Sequence, residues 1–295
     1  PNPIVQMGLF MDADGIPLAF NIQEGNTNEQ GTLKPLEKKI LQDFDLSRFI
    51  VCTDAGLSSL ENRQYNDIQG RSFITTQSIK KLPGFIKEWA LDKTQSHLAG
   101  QTKLFNLESL DEEKYKDQIF YKERWIKEKD LEQKLIITYS IKYRNYQRAI
   151  REGQIERAGR LIESNPNKTK KAKQTDYKRL IKEDHVTNQG EVASAVKLSF
   201  AQDKVDYEKG FDGFYAVCTN LEDDAAEIAR INKMRWRVEE CFRIMKSELK
   251  ARPVYLSRDD RIKAHFLTCF MALLIYRVLE QKLNLDYSCH EIINT

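Results

Sequence analysis

The run Phe49-Ile50-Val51-Cys52 is apolar without interruption. It is too short for a helix and lacks the alternation of a half-exposed strand. Such a run marks a strand buried on both faces, so the chain must build a sheet covered on two sides. The strand ends in Thr53-Asp54-Ala55-Gly56. Ahead of it, Val5, Met7, Leu9 and Met11 alternate, Asp12-Ala13-Asp14-Gly15 supplies a turn, and Ile16 to Ile22 returns as the second arm of a hairpin. Leu33, Leu36, Ile40 and Leu41 predict a helix over Thr32–Asp43, and Leu57, Leu60 and Tyr65 predict another. A short strand, Ser72–Thr76, follows. The order β-β-α-β-α-β specifies a mixed α/β sheet.

From Ile79 the pattern changes. Two alternating runs, Gln118–Ile126 and Lys134–Ser140, predict a hairpin, and a charged helix is expected over Tyr143–Glu163. Residues 164–182 carry seven Lys/Arg (Lys168, Lys170, Lys171, Lys173, Lys178, Arg179 and Lys182) against one acid, Asp176. A strand is expected over Ala193–Phe200. Phe214 to Cys218 is again a strand of the buried type, with Thr219-Asn220 as its exit. One amphipathic helix from Asp223 to about Lys250 and a core helix near Arg258–Leu283 close the chain. The expected division is 1–78, 79–210 and 211–295, the middle part being an α+β insertion into the sheet domain.

At 295 residues, 41% hydrophobic and 31% charged, the composition is that of an ordinary globular chain. The longest apolar stretch, Leu267–Tyr276, falls short of the roughly 18 residues of a membrane span. A net charge of +3 means that any nucleic-acid binding has to come from local patches. The cysteines (52, 218, 241, 269 and 289) form no Cys-x-x-Cys pair, so neither a disulfide framework nor a zinc site is indicated, and a reduced cytoplasm fits. The opening Pro1-Asn2-Pro3, without initiator Met or leader, reads as a cut end.

Two features can carry chemistry. Asp54 stands at the carboxyl end of a central strand, where open α/β sheets place ligands. The same position also suits a turn or N-cap aspartate. Arg235, Glu239 and Lys246 fall within roughly 40° of one another on a helix. A solvated Arg–Glu–Lys ladder would have the same spacing. Beside them Val238, Phe242, Met245 and Leu249 form an apolar stripe expected to pack on the sheet. A strand-end Asp and a helical Glu at one sheet can hold divalent metal, and a two-metal site activates a nucleophilic oxygen while stabilising the leaving oxygen of a phosphodiester. Mg²⁺ or Mn²⁺ suits such carboxylate ligands.

The segment Asn232–Lys246 resembles the Y-x2-R-x3-E-x6-K signature of bacterial insertion-sequence DDE transposases at Arg235, Glu239 and Lys246. Asn232 stands where that family has Tyr. Gly25-Asn26, Thr53-Asp54-Ala55-Gly56 and Thr219-Asn220 match further family motifs. The resemblance covers about residues 5–283. It implies a ribonuclease H-like mixed sheet with flanking helices, interrupted by an insertion, and metal-dependent cleavage of double-stranded DNA at transposon ends followed by strand transfer into target DNA. It also implies a homodimer in a synaptic complex, in a bacterial cytoplasm. Asp54 and Glu239 would be two of three metal carboxylates, and Arg235 and Lys246 would hold phosphates.

The family's first Asp lies on a strand with no counterpart here. Asp12 and Asp14 sit in a hairpin turn that wants Asp for backbone reasons. The expectation is therefore a strand upstream of Pro1, leaving this chain inactive by itself. Lys168, Lys170, Lys171, Lys173, Lys178 and Arg179 are candidates to track a DNA backbone, and Trp125 is a candidate to stack on an unpaired base. His265 and Trp236 read as packed residues. Two other readings stand beside the transposase: a ribonuclease H-like nuclease without strand transfer, and a non-catalytic DNA-binding remnant.

Overall fold

The computed structural model of the chain describes all residues except 1–4, 26, 45–48, 69, 165–175, 187–194, 285–286, 288–290 and 293–295. Its strands are β1 (Val5–Met11), β2 (Pro17–Glu24), β3 (Phe49–Thr53), β4 (Arg71–Thr76), β5 (His97–Leu98), β6 (Phe120–Glu128), β7 (Leu131–Tyr139), β8 (Ile181–Val186), β9 (Ala195–Phe200) and β10 (Phe214–Thr219). Its helices are α1 (Leu33–Asp43), α2 (Leu60–Tyr65), α3 (Gly84–Leu91), α4 (Glu112–Tyr115), α5 (Ile141–Ser164), α6 (Gln202–Lys209), α7 (Ala225–Met234), α8 (Trp236–Ser247) and α9 (Asp259–Lys282). The fold is mixed α/β. One sheet has six strands in the order β3-β4-β10-β7-β6-β5, with β3–β4 parallel and β4–β10 antiparallel. β1 and β2 form a separate two-stranded sheet, as do β8 and β9.

Two compact units share the chain. The first comprises Pro1–Gln77, Trp125–Leu135 and Val217–Thr295; the second comprises Ser78–Arg124 and Ile136–Ala216.

In the first unit the hairpin register sets Met7 against Ile22 and Leu9 against Phe20. This places alternate residues of both strands over a core of Cys241, Ile244, Met245, Phe266, Cys269 and Leu273 from α8 and α9. Phe20 meets Phe270 at 4.8 Å between ring centroids. On the other side, Phe10 and Ala19 pack on Leu33, Ile40, Phe49 and Val51. Each fully buried Leu or Ile of this kind contributes about 1.5–3 kcal/mol. Arg277 of α9, itself buried, reaches Glu240 Oε2 on α8 at 2.8 Å and Glu280 Oε2 at 2.6 Å. Burial works against its charge, but these hydrogen bonds outweigh that and raise its pKa.

In the second unit, Arg151 of α5 donates through both terminal nitrogens to Asp212, with Nη1–Oδ1 at 2.6 Å. Both residues are buried. Gly213, next in the chain, adopts φ +85°, and a Cβ there would meet the Tyr139 ring at 2.5 Å.

Four expectations are corrected. The helix expected over Asp223–Lys250 is two, α7 and α8. Consecutive tight turns, Arg235 N to Asn232 O and Val238 N to Arg235 O, interrupt the ordinary i→i−4 ladder at Arg235. The apolar stripe of α8 does not pack as one surface: Met245 is buried in the core, whereas Phe242 is 37% exposed. The last helix buries only one face, leaving Leu267, Met271, Ile275 and Leu279 exposed. By length and composition α9 also passes as a membrane span, with mean hydropathy 1.6 over 18 residues, although its continuous apolar run is short. Trp236, read as packed, is half exposed. His265 is satisfied, its Nε2 lying 3.2 Å from Ala251 O.

Candidate active site

Asp54 follows the last residue of β3. Its Oδ1 accepts from Gly56 N at 2.9 Å and Leu57 N at 3.2 Å, closing the turn between β3 and α2. A Cβ at position 56 would approach Asp54 Oδ1 to 3.1 Å, so the glycine lets the carboxylate fold onto its own loop. Among the described residues Oδ2 accepts no hydrogen bond, and the side chain is exposed. Half of the carboxylate is committed to the backbone and half is open to solvent.

Gln30, in the turn Glu29–Thr32, holds this loop. Its Nε2 donates to Gly56 O, and its Oε1 accepts from Ser59 N at 3.1 Å and Asn62 Nδ2 at 3.2 Å. Asn62 also donates to Leu57 O at 3.1 Å. Behind it, Asn66 donates to both oxygens of Glu37, which is fully buried. Burial drives the Glu37 pKa up to about 7, against the pull of the Asn66 hydrogen bond and of Arg71 and Lys34. Nothing in the sequence pattern marks Gln30: it is a polar residue in a short turn, and its role depends on a loop far away in the chain.

Glu239 lies on α8, exposed and without a hydrogen bond or ion pair among the described residues. Its neighbour Glu240 points the other way, to Arg277. Arg235, at the α7–α8 junction, reaches toward β3. Burial pushes the Cys52 thiol up to about 11, and the charge of Arg235 opposes that rise. Arg235 Nε is buried with no hydrogen-bond partner among the described residues. Lys246 is exposed near the end of the same helix.

Asp54, Arg235 and Glu239 line one cavity of about 630 Å³, walled by β1, β3 and α8. Lys246 is not among its lining residues. Asp12 and Asp14 also border it, but Asp12 Oδ1 accepts from Asp14 N at 2.9 Å and Ile16 N at 2.8 Å and so closes the hairpin turn. Arg237 donates to Asp14 O and seats that turn against α8.

The donor chemistry fits a divalent cation in part. Asp54 and Glu239 supply hard oxygen ligands, which is what Mg²⁺ and Mn²⁺ take. Among the described residues no three acidic, His or Cys side chains come together as a ligand set.

The other expected site residues lie elsewhere. Trp125 is 45% exposed on β6 with Lys134 Nζ 5.8 Å from its ring centroid. Arg179 is bound to Glu208 through two hydrogen bonds of 2.9 and 2.8 Å and to Gln154 at 2.8 Å, while Lys178 is half-buried beside it. Lys168, Lys170, Lys171 and Lys173 lie outside the described residues, as do Asn26 of the Gly-Asn motif and Cys289. Thr219 and Asn220 lace β10 to β4: Thr219 Oγ1 donates to Phe73 O at 2.6 Å, and Asn220 Oδ1 accepts from Phe73 N at 3.0 Å.

Compared with known proteins, the chain matches the family model of the transposase DDE domain over residues 4–275. No curated protein matches it. With nearly all of its length covered, the chain belongs to the DDE transposase family, whose members are phosphoryl-transfer enzymes that act on DNA and generally use divalent metal ions.

Proposed function

From this membership we infer that the chain carries a transposase catalytic domain that cleaves DNA at transposon ends and joins the freed 3′-hydroxyl to target DNA. The observation that carries the reading is the meeting of Asp54 and Glu239, from distant parts of the sequence, on one cavity with Arg235. Asp54 and Glu239 would hold Mg²⁺ or Mn²⁺, and the bound ions would activate the attacking oxygen and stabilise the leaving one. Asp54 Oδ2 and the unpaired carboxylate of Glu239 are the open donors. The Asp54 loop is fixed in advance by Gln30, so little ordering is required when a ligand arrives. Arg235 offers a planar fork for a phosphate, and Lys246 adds a point charge further along the same helix.

The ribonuclease H-like core consists, in this reading, of residues 1–78 and 211–295, with 79–210 inserted. Lys168, Lys170, Lys171, Lys173 and Lys178 follow the DNA backbone. Arg179 contributes less, because Glu208 already neutralises it. Trp125, half exposed beside Lys134, offers a face for an unpaired base. Two copies bring two transposon ends together. Among the described residues no third acidic, His or Cys side chain joins these two as a ligand.

The test uses a version of the protein that is competent for cleavage. Glu239→Gln abolishes Mn²⁺-dependent cleavage of a transposon end while leaving DNA binding intact. Equal cleavage by the variant overturns the role of Glu239. Cleavage without joined products in the parent protein supports a nuclease without strand transfer instead.

A further inference from the structure

Helix α9 turns two apolar faces in opposite directions. Its inner face, with Ile262, Phe266, Cys269, Leu273 and Tyr276, closes the core of the first unit. On the outer face Leu267, Met271 and Ile275 are 49%, 48% and 57% exposed, and Val278 follows at 38%. Ala264 is exposed as well. Apolar side chains held in water forgo the free energy of burial, and a continuous row of them marks a contact surface.

The spacing of this row is the same from either end. Ala264, Leu267, Met271, Ile275 and Val278 are separated by steps of 3, 4, 4 and 3 residues. Asp260 and Lys282 extend the palindrome by one step of 4 at each end, with Met271 at its centre. At 100° per residue the whole row lies within about 40° of the Met271 direction. Each half is an eleven-residue repeat, about 3.67 residues per turn, so the row hardly drifts around a straight helix. It runs for about 33 Å at 1.5 Å per residue. Only its ends are charged, one acidic and one basic, and both are exposed. Asp260 meets Arg258 at 2.8 and 3.1 Å in an exposed pair, and Lys282 has no hydrogen bond or ion pair among the described residues.

We propose that α9 pairs antiparallel with α9 of a second copy of this chain, about a two-fold axis beside Met271. A palindromic row is complementary to itself under that operation. Leu267 of each copy meets Ile275 of the other, Ala264 meets Val278, and Asp260 meets Lys282 at both ends. Parallel pairing would set Asp260 against Asp260 and Lys282 against Lys282, so the end charges select the antiparallel arrangement. Two helices of this length bury less than a standard interface of roughly 1,600 Å², so the pairing is weak and depends on protein concentration. It needs neither DNA nor metal. The surface is therefore argued independently of the transposase reading, and it offers that reading a place where its two copies join.

The test is analytical ultracentrifugation of the 295-residue chain, without DNA or divalent metal, over about a hundredfold range of protein concentration. A monomer–dimer equilibrium is expected. Met271→Lys sets two like charges together at the axis and should raise the dissociation constant by about tenfold or more. Its melting temperature at the lowest concentration should match the parent, because Met271 already faces water in the monomer. Asp260→Lys and Lys282→Asp should each weaken the dimer by about twofold to fivefold at low salt, and the double swap should restore it. A chain that stays monomeric, or a dimer that Met271→Lys leaves unchanged, overturns the proposal. A double swap that restores nothing overturns the antiparallel pairing and the proposal with it. Dimers that form only after transposon-end DNA is added overturn it too, while leaving the transposase reading intact. Dimers of a chain that binds no Mn²⁺ support it and count against that reading alone.

Discussion

Asp54 and Asp212 both follow the end of a structured segment and stand close to a glycine, yet their surroundings are opposite. Asp212, in the second unit, is buried and spends both oxygens on Arg151, with Arg148 a further 3.7 Å contact. Asp54, in the first, spends one oxygen on its own loop and holds the other in solvent. Glu240 and Glu239 repeat the contrast one residue apart: the former is locked to Arg277, and the latter has no partner among the described residues. A carboxylate that holds a fold together is saturated by protein donors. One that waits for a cation is positioned by its surroundings and left unsaturated.

The contrast breaks down if both kinds of carboxylate respond alike to removal. Asp212→Ala should cost about 3–5 kcal/mol, because it strands the buried Arg151 guanidinium; urea unfolding measures this, and a change below about 1 kcal/mol would place the pair outside the stabilising framework. Glu240→Ala should cost about 2 kcal/mol by the same logic, since Glu280 still shares Arg277.

Glu37 sharpens the comparison through pH. Its pKa is near 7 in the fold against 4.5 in the unfolded chain. The folded state therefore holds the extra proton between those values, and stability falls as pH rises through the window. Glu37→Gln should remove that decline and gain on the order of 2 kcal/mol at pH 8 relative to the parent, with little gain at pH 4. Parallel curves for the two proteins would show that Glu37 is ionised without cost. At the small end, Asp54→Asn and Glu239→Gln should each shift stability by no more than about 0.5 kcal/mol.

The parts legible in the sequence were those fixed by local pattern. The apolar run 49–52 placed β3 and with it Asp54, and the period of the signature segment put Arg235 and Glu239 on adjoining turns. The break at Arg235 was not legible, because Asn232-Lys233-Met234-Arg235 contains neither Gly nor Pro and tightens through backbone bonds alone. Gln30 escaped notice because its partners, Gly56, Ser59 and Asn62, meet it only in the fold. The exposed face of α9 was invisible because apolar periodicity reports what a helix can bury and not whether anything covers it.

The most direct measurement is a Mn²⁺ titration of the chain followed by electron paramagnetic resonance, repeated on Asp54→Asn and Glu239→Gln. The account predicts weak, saturable binding to the parent chain that either substitution removes while the fold persists. Binding unchanged in both variants, or none in the parent, would contradict the assignment of these two carboxylates to the metal.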